Sequence, residues 1–269
     1  MDVSGKRVLV TGGSSGIGEA LAVGFAERGA AVGICGRRAD RLAVVAARMQ
    51  ASSPDSRSWT VDLGDLAGID AFAATVRDEL GGLDLLVNNA GIPKRRWAWE
   101  HRPDEVADVL RVNLESPIRL TLALLDDLTA SKGAVVFIGS VAARLAPPSE
   151  AVYAASKAAI TAFAESLCVD LVVAGREVDV RVIQPGVIDT DLFSLPDNDP
   201  SIADVDALAV DDIVEPVLGA LAGDHLETFV PAWFADIPPI KVGDLDGFLQ
   251  GSAEYTRERL AALGRDAPT

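Results

Sequence analysis

The chain has 269 residues, is 49% apolar, and carries a formal net charge of −16 with two cysteines and two histidines. That length and apolar content suffice to bury one large α/β core, and a second domain is not required. So acidic a chain is a poor partner for nucleic acid or for an anionic membrane surface.

In chain order, Val8-Leu9-Val10 is an apolar run of the kind a buried parallel strand uses. It leads into the turn TGGSSGIG at Thr11 to Gly18 and then a helix from Ile17 to Arg28, with Ile17, Leu21 and Phe25 on one face. Ala31 to Cys35 reads as strand two, Asp40 to Gln50 as a helix, Arg57 to Val61 as strand three and Asp65 to Leu80 as a helix. Strand four is expected at Leu83 to Val87. Asp104 to Asn113 and Ser116 to Ala130 follow, as two helices or one bent helix. Ala134 to Ile138 is strand five, Val152 to Val173 a long helix, Val178 to Ile183 strand six, Val210 to Leu221 a helix and Glu227 to Val230 a last short strand. A tail from Pro231 to Thr269 is broken by proline and glycine and turns helical from about Ser252 to Leu263. This alternation predicts a doubly wound parallel sheet of Rossmann type, with helices on both faces, in one domain spanning residues 1 to 269.

No apolar run approaches the ~18 residues of a membrane span, and the N-terminus enters a strand without a signal-peptide apolar region. Cys35 and Cys168 lie in apolar segments and read as buried free thiols, so a reducing cytoplasm is expected. His101 and His225 are far apart and near no cysteine, so no metal site is expected.

Strand, glycine turn and helix start together form an anion cradle. Glycine lets the backbone approach a pyrophosphate, and the unpaired helix N–H groups point at its charge. Bulk negative charge does not oppose this, because screening limits exposed charges to a range of roughly 8 Å. Further on, Tyr153 and Lys157 are four apart on a helix and so share a face. A tyrosine with a pKa of ~10 is a poor base at neutral pH, and lowering it to about 7 needs roughly 4 kcal/mol. A lysine at ~4–5 Å in an effective dielectric near 20 supplies about 3–4 kcal/mol of that.

The glycine spacing Gly12-xxx-Gly16-x-Gly18, the Asn88-Asn89-Ala90-Gly91 turn after strand four, Ser140 after strand five, Tyr153-xxx-Lys157 and Pro185-Gly186 after strand six occur in one order. That ordered set resembles the short-chain dehydrogenase/reductase family over roughly Lys6 to Thr190. The resemblance implies hydride transfer between a nicotinamide cofactor and a carbonyl or secondary alcohol. It implies a catalytic set of Asn113, Ser140, Tyr153 and Lys157, with Tyr153 as acid/base and Ser140 holding the reacting oxygen. Lys157 would lower the tyrosine pKa and bind the nicotinamide ribose, and Asn113 would hold a water linking Lys157 to solvent. Cofactor contacts are implied for Gly12, Ser14, Ser15, Gly16, Ile17 and Gly18, and for Asp62 and Leu63 beside the adenine. They are also implied for Asn89, Ala90, Gly91, Tyr153 and Lys157, and for Pro185, Gly186, Val187, Ile188 and Thr190. A non-catalytic dinucleotide-sensing module is the alternative from another class, and the presence of both Tyr153 and Lys157 speaks against it.

Where NAD-binding folds carry an acidic residue after strand two, this chain reads Gly36-Arg37-Arg38, with no carboxylate until Asp40. Two guanidinium forks suit a 2′-phosphate, so NADP(H) is expected over NAD(H), which stays possible. The family's substrate lid corresponds to about Val187 to Val210, with Leu192, Phe193 and Leu195 as apolar contacts. From Asp189 to Glu215 there are nine acidic residues and no lysine or arginine. With Ala146-Pro147-Pro148 as a further apolar wall, a neutral, mainly apolar ketone, aldehyde or secondary alcohol is expected. A 3-oxoacyl thioester is the alternative. Lys94-Arg95-Arg96 opposes this reading unless those cations pair with nearby carboxylates. The helices at Ser116 to Ala130 and Val152 to Val173 match those the family uses between subunits, so a homodimer or homotetramer is expected. Ala158, Ala159 and Ala162 would be the close-packing positions, with Phe163 and Leu167 nearby.

Overall fold

The computed structural model describes residues 1–193 and 197–267. Seven strands form one sheet: β1 (Arg7–Thr11), β2 (Ala31–Gly36), β3 (Arg57–Thr60), β4 (Leu85–Asn88), β5 (Ala134–Ile138), β6 (Asp179–Pro185) and β7 (Glu227–Val230). Their spatial order is β3-β2-β1-β4-β5-β6-β7, and every pairing is parallel. The helices are α1 (Gly16–Glu27), α2 (Ala39–Ser52), α3 (Ile69–Leu80), α4 (Pro103–Leu110), α5 (Ser116–Ala130), α6 (Ala142–Leu145), α7 (Ala151–Ala174), α8 (Val214–Ala222), α9 (Ile237–Gly243) and α10 (Leu245–Ala262). The expected doubly wound α/β fold is the one observed.

Alternate strand residues feed two cores, as the period of two requires. Val8, Val10, Val32 and Ile34 pack with Leu21 and Phe25 of α1, Met49 of α2 and Val217 of α8. Leu9, Leu86, Val135 and Phe137 face the other way, onto Phe72 of α3, Leu124 of α5 and Ile160 and Leu167 of α7. In the central strands β1, β4 and β5 both faces are covered, so these read as continuous apolar runs.

Local departures from the sequence reading have local causes. The two helices after β4 are one continuous helical run, joined by a π turn at Arg111–Glu115 that contains Asn113. Such turns insert an extra residue and often occur at functional sites. The last helix begins at Leu245 rather than near Ser252, because the Asp244 side chain accepts a hydrogen bond from Gly247 N at 3.0 Å and starts it early. The short α6 was not expected. Its start is held by Ala142 N donating to Ser140 Oγ at 3.1 Å.

Candidate active site

Strand order reverses between β1 and β4, and beyond the carboxyl ends of these strands lies a cleft of about 660 Å³. Open α/β sheets bind ligands at such a switch point. The glycine turn forms one wall, lined by Gly12, Ser14, Ser15, Gly16 and Ile17. Gly12 (φ +67°) and Gly16 (φ +56°) hold the left-handed conformation that glycine alone adopts readily. A Cβ on Gly12 would lie 2.9 Å from Ala90 Cα. Gly18 lies behind the lining, where a Cβ would stand 2.4 Å from Gly12 O. Its role is close packing of helix on turn. Ser15 precedes α1 but makes no side-chain cap bond; its hydroxyl accepts instead from Arg38 Nη2 at 2.7 Å. The first helical N–H groups therefore have no side-chain cap at the cradle.

Thr11, the first residue of the turn, was not singled out from the sequence. Its Oγ1 accepts from Asn89 N at 2.9 Å and Ala90 N at 3.0 Å and donates to Val87 O at 3.3 Å. Asn89 Nδ2 returns a bond to Thr11 O at 2.8 Å. The glycine turn and the Asn89-Ala90-Gly91 turn are thereby latched side by side, and all three residues of the latter line the cleft. Further along, Arg37 and Arg38 line it with Asp62 and Leu63. Arg38 Nη2 also donates to Ser14 Oγ at 3.0 Å. Asp62 Oδ1 accepts from Gly64 N at 2.9 Å, while Asp65, not Asp62, caps the following turn.

Ser140, Tyr153 and Lys157 meet in the same cleft. The Ser140 hydroxyl lies close enough to the Tyr153 phenol to pull its pKa down. Lys157 Nζ stands 5.7 Å from the centroid of the tyrosine ring and donates to Ile138 O at 2.7 Å. Burial lowers the Lys157 pKa from 10.5 to about 8. Burial also pushes the Tyr153 phenol up, and Glu150 adds to this, whereas the Ser140 hydroxyl and the Arg95 charge pull the other way. The sequence reading had Lys157 drawing the phenol down toward neutrality. Here the amine points at a main-chain carbonyl and its own charge is weakened by burial, so Ser140 and Arg95 supply the opposing pull.

Asn113 is buried and does not line the cleft. Its Oδ1 accepts from Ile92 N at 2.8 Å, and its Nδ2 donates to Ile92 O at 2.9 Å and to Ser156 Oγ at 3.1 Å. The carboxamide bonds to Ile92 and Ser156. It still borders the lysine, because a Cβ on Gly91 would meet both Asn113 Oδ1 at 3.4 Å and Lys157 Nζ at 3.6 Å.

On the lid side, Pro185, Gly186, Ile188, Thr190 and Leu192 line the cleft. Val187 does not; its carbonyl accepts from Leu208 N at 3.0 Å, closing the lid on itself. Phe193 ends a short 3-10 turn at Asp191–Phe193, and Leu195 lies outside the described residues. Three acidic residues of the segment 187–210 form ion pairs: Asp191 with Arg41 at 2.7 Å, Asp197 with Arg96 at 2.5 Å and with Lys94, and Asp204 with Arg259 at 2.9 Å. Buried Glu105 holds Arg96 at 3.0 Å and Lys94 at 3.5 Å. Two of the three basic residues past the Asn-Asn-Ala-Gly turn are therefore paired with carboxylates. Arg95 behaves differently. Its side chain is 2% exposed, its Nε donates to Asp199 O at 3.0 Å, and it lines the cleft with Glu150. These two replace the expected apolar wall of Ala146-Pro147-Pro148, which is not part of the lining. Neither could be placed from the sequence, because only the fold brings residue 95 beside the start of α7.

Cys35 is buried and unpaired, with its thiol pushed up to about 12 by burial; Cys168 is also unpaired but only partly buried. Among the described residues no helix is long and apolar enough to cross a membrane.

Residues 6–199 match the family model described as short chain dehydrogenase. The chain is 38% identical over 191 residues to the 11-beta-hydroxysteroid dehydrogenase-like 4A protein of Arabidopsis thaliana, covering 70% of this chain and 62% of that protein. It is 34% identical over 193 residues to the 3-oxoacyl-[acyl-carrier-protein] reductase of Escherichia coli (strain K12), covering 71% and 77%. Among solved structures it resembles a short chain dehydrogenase from Burkholderia cenocepacia J2315 in complex with NADP, with a TM-score of 0.77, 28% identity and coverage of 92% and 97%. A second likeness is an alcohol dehydrogenase from Thermococcus sibiricus complexed with 5-hydroxy-NADP, with a TM-score of 0.73, 26% identity and coverage of 83% and 95%. A match that runs from the first strand through the tyrosine helix and into the lid exceeds a shared nucleotide-binding fold, and this chain belongs to the short-chain dehydrogenase/reductase family.

Proposed function

We propose that this protein is an NADP(H)-dependent oxidoreductase acting on a neutral, mainly apolar ketone, aldehyde or secondary alcohol, with Tyr153 as the acid/base. The observation that carries this reading is the meeting of Ser140, Tyr153 and Lys157 in one cleft with the glycine cradle. The cradle fits a dinucleotide, since Gly12 and Gly16 line the cleft at the start of α1, whose first N–H groups have no side-chain cap. When bound, the nicotinamide supplies or accepts the hydride. The glycine turn would hold the pyrophosphate, Asp62 and Leu63 the adenine end, and Lys157 the ribose nearest the reaction.

Tyr153 keeps its proton at neutral pH, because burial disfavours the phenolate. It gives that proton to the carbonyl oxygen in reduction; in oxidation its phenolate form, reached at alkaline pH, takes one from the alcohol. Ser140 lies close to the phenol and is placed to hold the same oxygen. Asn113 acts by fixing Ile92 and Ser156 around Lys157.

Lys94 and Arg96 are occupied by Glu105 and Asp197, and Arg95 faces the cleft together with a carboxyl group, Glu150. With the Lys94-Arg95-Arg96 cluster engaged in this way, an anionic carrier gains little from it, which favours a neutral substrate. Arg38, bound to both cradle serines, favours the 2′-phosphate, as do the NADP-bound neighbours. Purified protein assayed with each cofactor on a panel of ketones, aldehydes and secondary alcohols tests all of this. NADP(H) should be the more efficient cofactor, and Arg37→Ala/Arg38→Ala should cut that preference by roughly 10-fold or more, as loss of charged hydrogen bonds does. The 3-oxoacyl thioester alternative, supported by the Escherichia coli relative, predicts a different outcome. Efficient reduction of such a thioester, lost in Arg95→Ala, would replace our substrate reading.

The same proposal includes a dimer or tetramer and a reducing compartment, the latter resting on two unpaired cysteines. Leu167 packs in the core rather than outward. Ala158 and Ala162 are exposed, as are Val169, Val172 and Val173 of α7 and Leu122 of α5. Exposed apolar side chains of this kind suit burial against a second copy. Light scattering at micromolar concentration should give a mass of two or four chains, and a monomer would remove this part of the proposal.

A further inference from the structure

Gln184, next to last in β6, is completely buried in a strand whose neighbours Val182 and Ile183 are apolar. An amide in that position is costly unless its polar atoms are satisfied. Its Oε1 accepts from Ser140 N at 2.6 Å, and its Nε2 donates to Glu227 Oε1 at 2.7 Å and to Thr161 Oγ1 at 3.2 Å. Both donors and one acceptor site are therefore used. The amide cannot sit the other way round, since a main-chain N–H can only donate and a carboxylate can only accept.

The three partners come from separate parts of the fold. Ser140 N belongs to the turn after β5. Thr161 is on α7 one turn past Lys157, and its hydroxyl donates to Lys157 O at 2.8 Å. Glu227 opens β7, and the same Oε1 also accepts from Arg144 Nε at 2.9 Å, whose Nη2 reaches Glu165 on α7 at 2.6 Å. Gly139 leaves the room this needs, since a Cβ there would lie 2.2 Å from Gln184 Oε1. One side chain thus ties the serine turn to the helix that carries Tyr153 and Lys157, independently of any contact between Ser140 and the phenol.

We propose that Gln184 is a positioning residue for proton transfer: it fixes the main chain of Ser140 against α7, and Glu227 sets the orientation of its amide. The inference rests on the assignment of Ser140 and Tyr153 made above. A hydrophobic residue would fill the same volume without needing partners. The amide is instead spent on the main-chain N–H of the residue whose hydroxyl lies close to the acid/base.

Three variants test this: Gln184→Met, which keeps the volume and loses every hydrogen bond, Gln184→Glu, and the exchange Gln184→Glu/Glu227→Gln. Gln184→Met should lower kcat by roughly 10–100-fold, the scale of a misplaced catalytic group. Cofactor KM should stay within about threefold of the unmodified enzyme, and the kinetic pKa of the kcat profile should shift. Gln184→Glu sets two carboxyl groups side by side, so its activity should fall more steeply as pH rises. The exchange keeps an acceptor facing Ser140 N–H and a donor facing a carboxylate, and it should recover kcat to within about fivefold. A purely structural residue would lower the melting temperature or the yield but leave the pH profile of the folded enzyme in place. The proposal is overturned if folded Gln184→Met retains kcat and pH profile, or if the exchange is no better than Gln184→Glu. Should Gln184→Met not fold, the comparison of the other two decides. Failure of the underlying reading looks different: the unmodified protein then turns over no carbonyl or alcohol, or Tyr153→Phe stays active.

Discussion

Tyr153→Phe should abolish turnover, with kcat reduced by on the order of 1,000-fold, equivalent to about 4 kcal/mol in the barrier. The ring and its packing in the cleft persist, and only the hydroxyl with its transferable proton is lost. Cofactor affinity, measured by fluorescence titration, should stay within a few-fold of the unmodified protein. Because burial raises the phenol pKa, the unmodified enzyme should hold its proton-donating form across the neutral range. Reduction should therefore persist to alkaline pH before it declines. A Tyr153→Phe enzyme with most of its activity would remove the tyrosine from the mechanism.

Lys157→Met should affect both turnover and stability, and in opposite directions at neutral pH. Turnover and cofactor binding should both fall, since the amine stands beside the phenol and borders Gly91. Stability follows from the pKa of about 8 in the folded protein against an ordinary 10.5. Between those values the unfolded chain holds a proton that the folded chain has released, so the stability of the unmodified protein rises with pH across that window. Below about pH 8 both states are protonated and the folded state bears the full penalty of a buried charge. The unmodified protein should therefore gain on Lys157→Met by up to about 3 kcal/mol between pH 7 and 10.5, an order-of-magnitude figure from the size of the shift. Urea unfolding of both proteins at several pH values measures it. A stability difference that does not change with pH would mean that the amine keeps its charge throughout.

The motif residues differ in how far their roles could be read in advance. For Gly12 and Gly16 the sequence sufficed, since a turn between an apolar strand and a helix needs positive φ and only glycine supplies it cheaply. Tyr153 and Lys157 share a face because helical periodicity places residues four apart together. The partners of the Asn113 carboxamide could not be read in advance, because Ile92 is 21 positions away across a loop. Arg95 was grouped with Lys94 and Arg96, and adjacency in sequence says nothing about which of three cations turns inward.

By itself the sequence determined the strand and helix alternation, the parallel sheet it implies, the glycine turn between β1 and α1, and the shared helix face of Tyr153 and Lys157. These depend on periodicity, local backbone sterics and chemistry carried within a few residues. Only the tertiary structure decided that Arg95 and Glu150 line the cleft with Tyr153, that Asp191, Asp197 and Asp204 pair with Arg41, Lys94, Arg96 and Arg259, and that Gln184 joins Ser140 to α7. Each of these is a contact between elements far apart in the chain. The shift of a buried charge depends on which groups the fold packs around it, and no local pattern records that.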